Sequence, residues 1–239
     1  MRRMINIKSI LKNIKYSLLK SNGIFYPKYA DDFYSLHQKN LRGSYKEIRK
    51  RQSVYIKYCT KIPLINRKKN SFIDIGFGRG EFIDLLYDNK FTNIEGVDIN
   101  EEFVSKADKN KFEIYHDDGI RHMYLSEKKY YGISAFHLIE HIDFPQLFDL
   151  LLICSKKLVK GGILILETPN VENIKVGSTT FYLDYTHKLK LPVQLLTMML
   201  KYFGFTKVEV LYLQPEKTTT QGINQLLYGA RDLGIVAYK

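Results

Sequence analysis

SFIDIGFGRG, residues 71–80, is a short apolar run that breaks into alternating glycines, and the EFIDLLYDNK that follows repeats its apolar residues at helical spacing. A strand that passes into a helix through a glycine-rich turn is half of a strand–helix–strand unit, and the chain goes on to repeat it. NIEGVD reads as a strand before the helix EEFVSKADKN. KFEIYHDD reads as a strand end before RHMYLSEKK, a short helix or loop. YYGISAFHLI reads as a strand before the helix FPQLFDLLLICSKKLV, closed by Gly161 and Gly162. GILILETP is the next strand, LPVQLLTMMLKYF a helix capped by Gly204, and KVEVLYLQ and DLGIVAYK the last two strands. Strands separated by helical segments of about ten residues predict an α/β protein with a mostly parallel sheet. No internal repeat is visible.

With 239 residues, 45% of them hydrophobic and 13% aromatic, the chain is long enough for one sizeable core. Six prolines and fifteen glycines exclude a low-complexity chain. Cys59 and Cys154 lack C-x-x-C spacing, which argues against a zinc ribbon and against a disulfide framework. No apolar run approaches the ~18 residues of a membrane span, and the basic start lacks the apolar stretch and cleavage site of a signal peptide. The expected location is the cytoplasm.

The formal charge of +12 calls for an anionic neighbour. Much of it lies in residues 1–28, where Arg2, Arg3, Lys8, Lys12, Lys15, Lys20 and Lys28 occur without an acid. Met4, Ile7, Leu11, Ile14 and Leu18 add an apolar stripe at helical spacing. Two readings stand: residues 1–20 lie on an anionic membrane surface, peripheral on the inner face of the cytoplasmic membrane, or they dock on the domain or a partner. The expected organisation is a basic amphipathic helix (1–28), a helical cap or lead-in (29–62) and an α/β domain (63–239).

Ligands of such sheets bind at the carboxyl ends of the strands. At the first, DIGFGRG places Asp74, Gly76, Gly78 and Gly80 in a turn that a ligand can approach closely, ahead of a helix N-terminus. Glu81 stands where the dinucleotide fingerprint needs its third glycine, and no G-K-S/T follows, so nicotinamide and triphosphate loops lose ground. Asp98 ends the second strand, where an acid accepts ribose hydroxyls; Asp117 and Asp118 end the third, the latter placed for an adenine amino group. Any one of these is readily a solvated loop acid. The set describes a pocket for an adenosine whose other end is not a polyphosphate.

The runs DIGFGRG, GVDIN, HDDG, AFHLIEH and KKLVKGG resemble the class I S-adenosylmethionine-dependent methyltransferases. Residues 167–192 (ETPNVENIKVGSTTFYLDYTHKLKLP), residues 226–232 (LLYGARD) and the upstream LRGSYKEIRKRQ are similar to bacterial methyltransferases of polysaccharide and O-antigen synthesis, described as chain-terminating. The resemblance implies a Rossmann-like, doubly wound fold with a seven-stranded, mostly parallel sheet, an antiparallel last strand and an N-terminal helical extension. It implies S-adenosylmethionine as cofactor, with Asp74, Gly76, Phe77, Gly78 and Gly80 around the methionine part, Asp98 and Ile99 at the ribose, and Asp118 and Gly119 beside the adenine. Phe136 and His137 would lie under the sulfonium, and Tyr34 and Arg42 would close over the cofactor. Phe77 departs from the group, which often has cysteine there.

Methyl transfer is an in-line displacement, so a hydroxyl acceptor needs a base or a metal to deal with its proton, whereas a phosphate does not. AFHLIEH, residues 135–141, formally contains the inverted zinc-peptidase motif, but that motif belongs on a helix and this one straddles a strand end. Related methyltransferases that make ubiquinone carry E-x-x-E-H here and are thought to bind magnesium. His137 in place of the first glutamate turns His137, Glu140 and His141 toward a softer metal or none, and a divalent metal is not favoured. The open alternatives are His141 or His137 as base, or Glu140 and His141 as caps of the turn. FYLDYTHK, residues 181–188, offers Asp184 and His187 as an oriented acid–imidazole pair in a connection too long to be idle; Asp184 closing its own turn is the plainer alternative.

The expected acceptor is a saccharide, a saccharide phosphate or a lipid-linked glycan. A quinone-like small molecule remains open, as does RNA on charge alone, although nucleic acid is not favoured because no added RNA-binding module is evident. A membrane-associated scaffold that binds the cofactor without turnover is the non-enzymatic alternative.

Overall fold

The computed structural model describes Phe33, residues 43–216 and residues 222–239. The chain divides into two compact units, Met1–Ser44 and Tyr45–Lys239. The expected leader helix (1–28), Tyr34 and Arg42 lie outside the described residues. Among the described residues no helix is long and apolar enough to cross a membrane.

The second unit opens with α1 (Tyr45–Gln52), a 3-10 turn (Ser53–Tyr55), α2 (Ile56–Cys59) and α3 (Leu64–Arg67). Then strands and helices alternate: β1 (Phe72–Ile75), α4 (Glu81–Asp88), β2 (Ile94–Asp98), α5 (Glu101–Lys106), β3 (Glu113–His116), α6 (Gly119–Leu125), β4 (Tyr130–Phe136), α7 (Phe144–Lys157) and β5 (Leu158–Pro169). After β5 the chain forms α8 (Ile174–Ser178), a 3-10 turn (Thr180–Leu183), α9 (Val193–Tyr202), β6 (Lys207–Leu213), α10 (Gly222–Tyr228) and β7 (Asp232–Tyr238). One seven-stranded sheet results, in the order β3-β2-β1-β4-β5-β7-β6. Only β7 runs antiparallel, against both β5 and β6. The expected Rossmann-like, doubly wound sheet is the one observed, and its strand order reverses between β1 and β4, where such sheets bind their ligands.

Two boundaries differ from the sequence reading. β4 stops at Phe136 rather than running on through Ile139, because His137 takes a left-handed φ of +49° and turns the chain out of the sheet. α7 ends at Lys157, and Gly161 and Gly162 lie within β5; an irregularity shifts the β4–β5 register between Tyr130 and Gly132. The start of α7 is well defined: Asp143 accepts from Gln146 N (2.9 Å) while Gln146 Oε1 accepts from Asp143 N (3.0 Å), a reciprocal cap.

The central strands read as unbroken apolar runs because both faces are covered. Ile73 and Ile75 of β1 point into a core shared with Leu150 of α7 and Leu196 of α9, while Phe72 points to the opposite core, with Phe82 of α4 and Tyr55. β5 alternates likewise, with Leu164 and Leu166 on one face and Ile163 and Ile165 on the other. Both cysteines are buried and free, and burial pushes the Cys154 thiol up to about 12. Phe72 lies against Phe91 at 4.7 Å between ring centroids, and a Cβ at Gly132 would fall 1.9 Å from Phe72 Cε1. Gly132→Ala therefore has no room. It is expected to cost about 2 kcal/mol of stability, seen as a lower urea midpoint with an unchanged m-value.

Candidate functional site

The turn after β1 is built for close approach. Gly76, Gly78 and Gly80 have φ of +69°, +58° and +85°, a region open to glycine at little cost. Gly76 N donates to Val97 O (2.8 Å), and a Cβ on Gly76 would stand 2.8 Å from Leu138 Cδ1. Asp98, 8% exposed, braces the turn: Oδ2 accepts from Gly78 N (2.9 Å) and Oδ1 from Asn100 N (2.8 Å). Asp74 is buried and accepts from Ser134 Oγ (2.7 Å), which ties β1 to β4 beneath the turn.

The other residues expected around a cofactor are placed as follows. Ile99 is exposed and its carbonyl accepts from His116 Nε2 (3.0 Å). Asp118 caps α6, accepting from Arg121 N (2.8 Å), and Gly119 must be glycine because a Cβ there would lie 2.3 Å from Ile75 Cγ2. Two rings depart from expectation. The Phe77 side chain is buried in the α4 core behind the turn, close enough to β2 that a Cβ on Gly96 would be 2.9 Å from its Cδ1. Phe136 likewise packs inward, edge-on to Tyr55 (5.3 Å) and tilted against Phe82 (4.7 Å). Each supplies a wall from behind, since residues at that point of a strand or turn alternate between core and ligand side.

His137 is strained and clamped. Its left-handed backbone is uncommon for a non-glycine residue. Although 44% of the side chain is exposed, Nδ1 faces Glu140 Oε1 (3.1 Å) and Nε2 faces Glu167 Oε1 (3.2 Å). Desolvation opposes a charge there, but the two carboxylates outweigh it and raise the imidazole well above its usual value. Both nitrogens then donate, so His137 is a cationic clamp and not a base. Glu167 also accepts from Tyr55 Oη (2.5 Å), and burial, with Glu167 nearby, pushes the Asp232 carboxyl up to about 6 against the pull of His137.

Glu140, wholly buried, joins this clamp to the long connection after β5. One carboxylate oxygen meets His137, the other accepts from Thr168 Oγ1 (3.0 Å), and the backbone carbonyl accepts from Lys188 N (2.7 Å) and Leu189 N (3.0 Å). Alongside, His141 Nδ1 lies 2.8 Å from Thr186 Oγ1, which in turn lies 2.6 Å from Asp184 Oδ1. A threonine hydroxyl has one proton, and the carboxylate takes it. Thr186 therefore accepts from His141 Nδ1–H, which leaves the lone pair on Nε2. Desolvation, with His187 adding to it against Glu140, holds His141 below its usual value and so neutral near pH 7.

His187 is not the partner of Asp184 that their spacing suggests. Its Nδ1 donates to Phe181 O (2.6 Å), and its Nε2 stands 3.9 Å from Glu140 Oε1 and 4.0 Å from Asp184 Oδ2, with its ring 4.6 Å from that of His141. Glu140, His141 and His187 each bring one ligand atom within 4.8 Å of the others. This N/N/O set is one that could hold a divalent transition-metal ion, and His137 with Glu167 and Asp232 forms a second group of the same spacing; the sequence reading, which does not favour a metal, names His137, Glu140 and His141 as its possible ligands. Five members of this cluster lie outside the sequence reading: Tyr55, Glu167, Thr168, Thr186 and Asp232. Glu167 carried a signal as an acid inside the apolar GILILETP, while Tyr55 carried none, lying 112 residues from its partner.

Residues 45–210 match a family model described as a methyltransferase domain. Among solved structures, a SAM-dependent methyltransferase from Archaeoglobus fulgidus is 27% identical, with a TM-score of 0.75 over 87% of this chain and 100% of that one. SAM-dependent methyltransferases from Clostridium acetobutylicum (15% identical, TM-score 0.61, 87% and 98% covered) and Mesorhizobium loti (15%, 0.57, 71% and 91%) share the fold. No curated protein matches the chain. The double acceptance by Asp98 makes it the brace of the glycine turn. Asp98→Ala is expected to weaken S-adenosylmethionine binding at least about tenfold, the worth of one charge-assisted hydrogen bond, while circular dichroism stays native; titration calorimetry measures it.

Proposed function

This chain belongs to the methyltransferase domain family, and from that premise we propose that it methylates a hydroxyl of a saccharide, free or lipid-linked, in the assembly of a surface polysaccharide. It is an S-adenosylmethionine-dependent methyltransferase. The cofactor supplies an electrophilic methyl group on a sulfonium. The glycine turn suits it, because Gly76, Gly78 and Gly80 at positive φ present bare backbone to a ligand between β1 and α4.

The observation that carries the hydroxyl reading is the His141–Thr186–Asp184 relay. A saccharide hydroxyl is almost wholly protonated at neutral pH, so its proton must leave as the oxygen–carbon bond forms. His141 Nε2 is the proton acceptor: neutral, with the opposite nitrogen held by a hydroxyl that leans on a carboxylate. The imidazolium formed is stabilised through Thr186 by Asp184 and by the buried Glu140 nearby. His137, locked between Glu140 and Glu167, orients this assembly and stays protonated. Residues 170–192 carry exposed Tyr182 and Tyr185, amphipathic rings suited to the faces of a sugar. The similarity of residues 167–192 and 226–232 to polysaccharide methyltransferases supports the same acceptor class.

The convergence of Glu140, His141 and His187 favours a second reading of the same step. A divalent cation held by these three would polarise the hydroxyl in place of a base. Chelation separates the two.

The test is transfer of radiolabelled methyl groups from S-adenosylmethionine into fractionated cell material. Label is expected in saccharide or lipid-linked saccharide, and label confined to RNA would overturn the reading. His141→Ala is expected to lower kcat by ~10²–10⁴ with cofactor affinity unchanged. Thr186→Val, which keeps the shape and removes the relay, is expected to lower it by about tenfold. Activity that survives chelator assigns the proton to the imidazole alone.

A further inference from the structure

At the amino ends of the strands, opposite the site, residues 61–70 (KIPLINRKKN) lead into β1 and expose what a folded core normally hides. Ile65 is 80% exposed, the most exposed large apolar side chain among the described residues, and Leu64 beside it is 60% exposed. α3 buries none of its residues. The segment is nevertheless pinned: the Arg67 guanidinium donates to Asn89 O (3.0 Å), Thr60 O (3.2 Å) and Ile62 O (3.4 Å), and lies over the Phe91 ring. An arginine bound to three carbonyls holds the tip rigid from beneath, so Leu64 and Ile65 are presented and not merely left over.

Lys61, Lys68 and Lys69 flank the pair in the chain and are exposed. Lys61 donates to Tyr238 Oη (2.8 Å), a neutral partner, and neither Lys68 nor Lys69 makes an ion pair among the described residues. Asp88 is answered by Arg49, and Glu209 by Lys207 with a further pull from Lys61, which leaves Lys68 and Lys69 as the charges at the tip. Two exposed aliphatic side chains, followed in the chain by Lys68 and Lys69 without an ion pair among the described residues, match a lipid surface with anionic headgroups: the aliphatic pair leaves water for the acyl boundary while the ammonium groups stay at headgroup level. A nucleic acid would reward arginine and exposed aromatic rings, and the tip offers neither, its arginine being turned to the backbone.

We propose that Leu64 and Ile65, with Lys68 and Lys69 beside them in the chain, form a membrane-docking tip that seats the protein on an anionic bilayer. The tip precedes β1, so the glycine turn and His141, at the carboxyl ends of the strands, face the aqueous side. This surface is independent of the acceptor reading.

The chain has no tryptophan, which makes Ile65→Trp a single reporter. In the full-length protein its emission is expected to shift to the blue with phosphatidylcholine vesicles containing phosphatidylglycerol, and to stay put with phosphatidylcholine alone or with RNA. Ile65→Glu and the pair Lys68→Glu, Lys69→Glu are each expected to weaken co-sedimentation with the anionic vesicles at least about tenfold, with methyl transfer to a soluble acceptor unchanged. Co-sedimentation that persists in these variants without a blue shift in Ile65→Trp would place binding elsewhere in the chain and overturn the proposal. A shift with RNA, or no vesicle binding at all, would overturn it equally.

Discussion

A carboxylate with no exposed surface must be answered by proton donors on every side, and in this protein that carboxylate is Glu140. Its demands organise the site. His137 answers one oxygen and Thr168 the other, and to reach its place His137 leaves β4 in a left-handed turn that ends the strand. The Glu140 carbonyl then receives Lys188 and Leu189, which draws the end of the long connection over the strand edge and delivers Thr186 and His187 beside His141. Removal of one partner would leave a buried charge uncompensated, so clamp, turn and connection stand or fall together.

The sheet supplies the platform for this network. β1 and β4 are neighbours at the point where the strand order reverses, and Asp74 and Ser134 join them by a hydrogen bond just below the glycine turn. The glycine turn and the histidine–carboxylate cluster thus rise from adjacent strand ends. The rings expected to line the cofactor, Phe77 and Phe136, instead face the core with Phe82 and Tyr55, where they stiffen the floor from behind. Tyr55 reaches through that layer to Glu167, so the segment before β1 takes part in the charge balance of the site.

Much of this was legible in the sequence. Seven strands, the glycine turn and the strand-end acids follow from local pattern, because periodicity reports which face of an element is buried. Local pattern failed where backbone geometry or a distant partner decided the matter. Leu138 and Ile139 look like two more strand residues, since apolar character marks burial and not conformation, and only φ at His137 ends β4. Asp184 and His187 have the spacing of a pair, yet the hydroxyl of Thr186, two residues from Asp184 and 45 from His141, takes the carboxylate and gives it to the other histidine.

The sequence by itself determined the class of protein: an α/β sheet with a glycine turn for an adenosine cofactor and a histidine-rich strand end beside it. Each of these is written in neighbouring residues, whose spacing maps directly onto one face or one turn. Which histidine holds a charge, which holds a lone pair and which carboxylate supports it were decided only by the tertiary structure. Those assignments depend on single protons shared between residues far apart in the chain, and no spacing encodes the direction of a hydrogen bond.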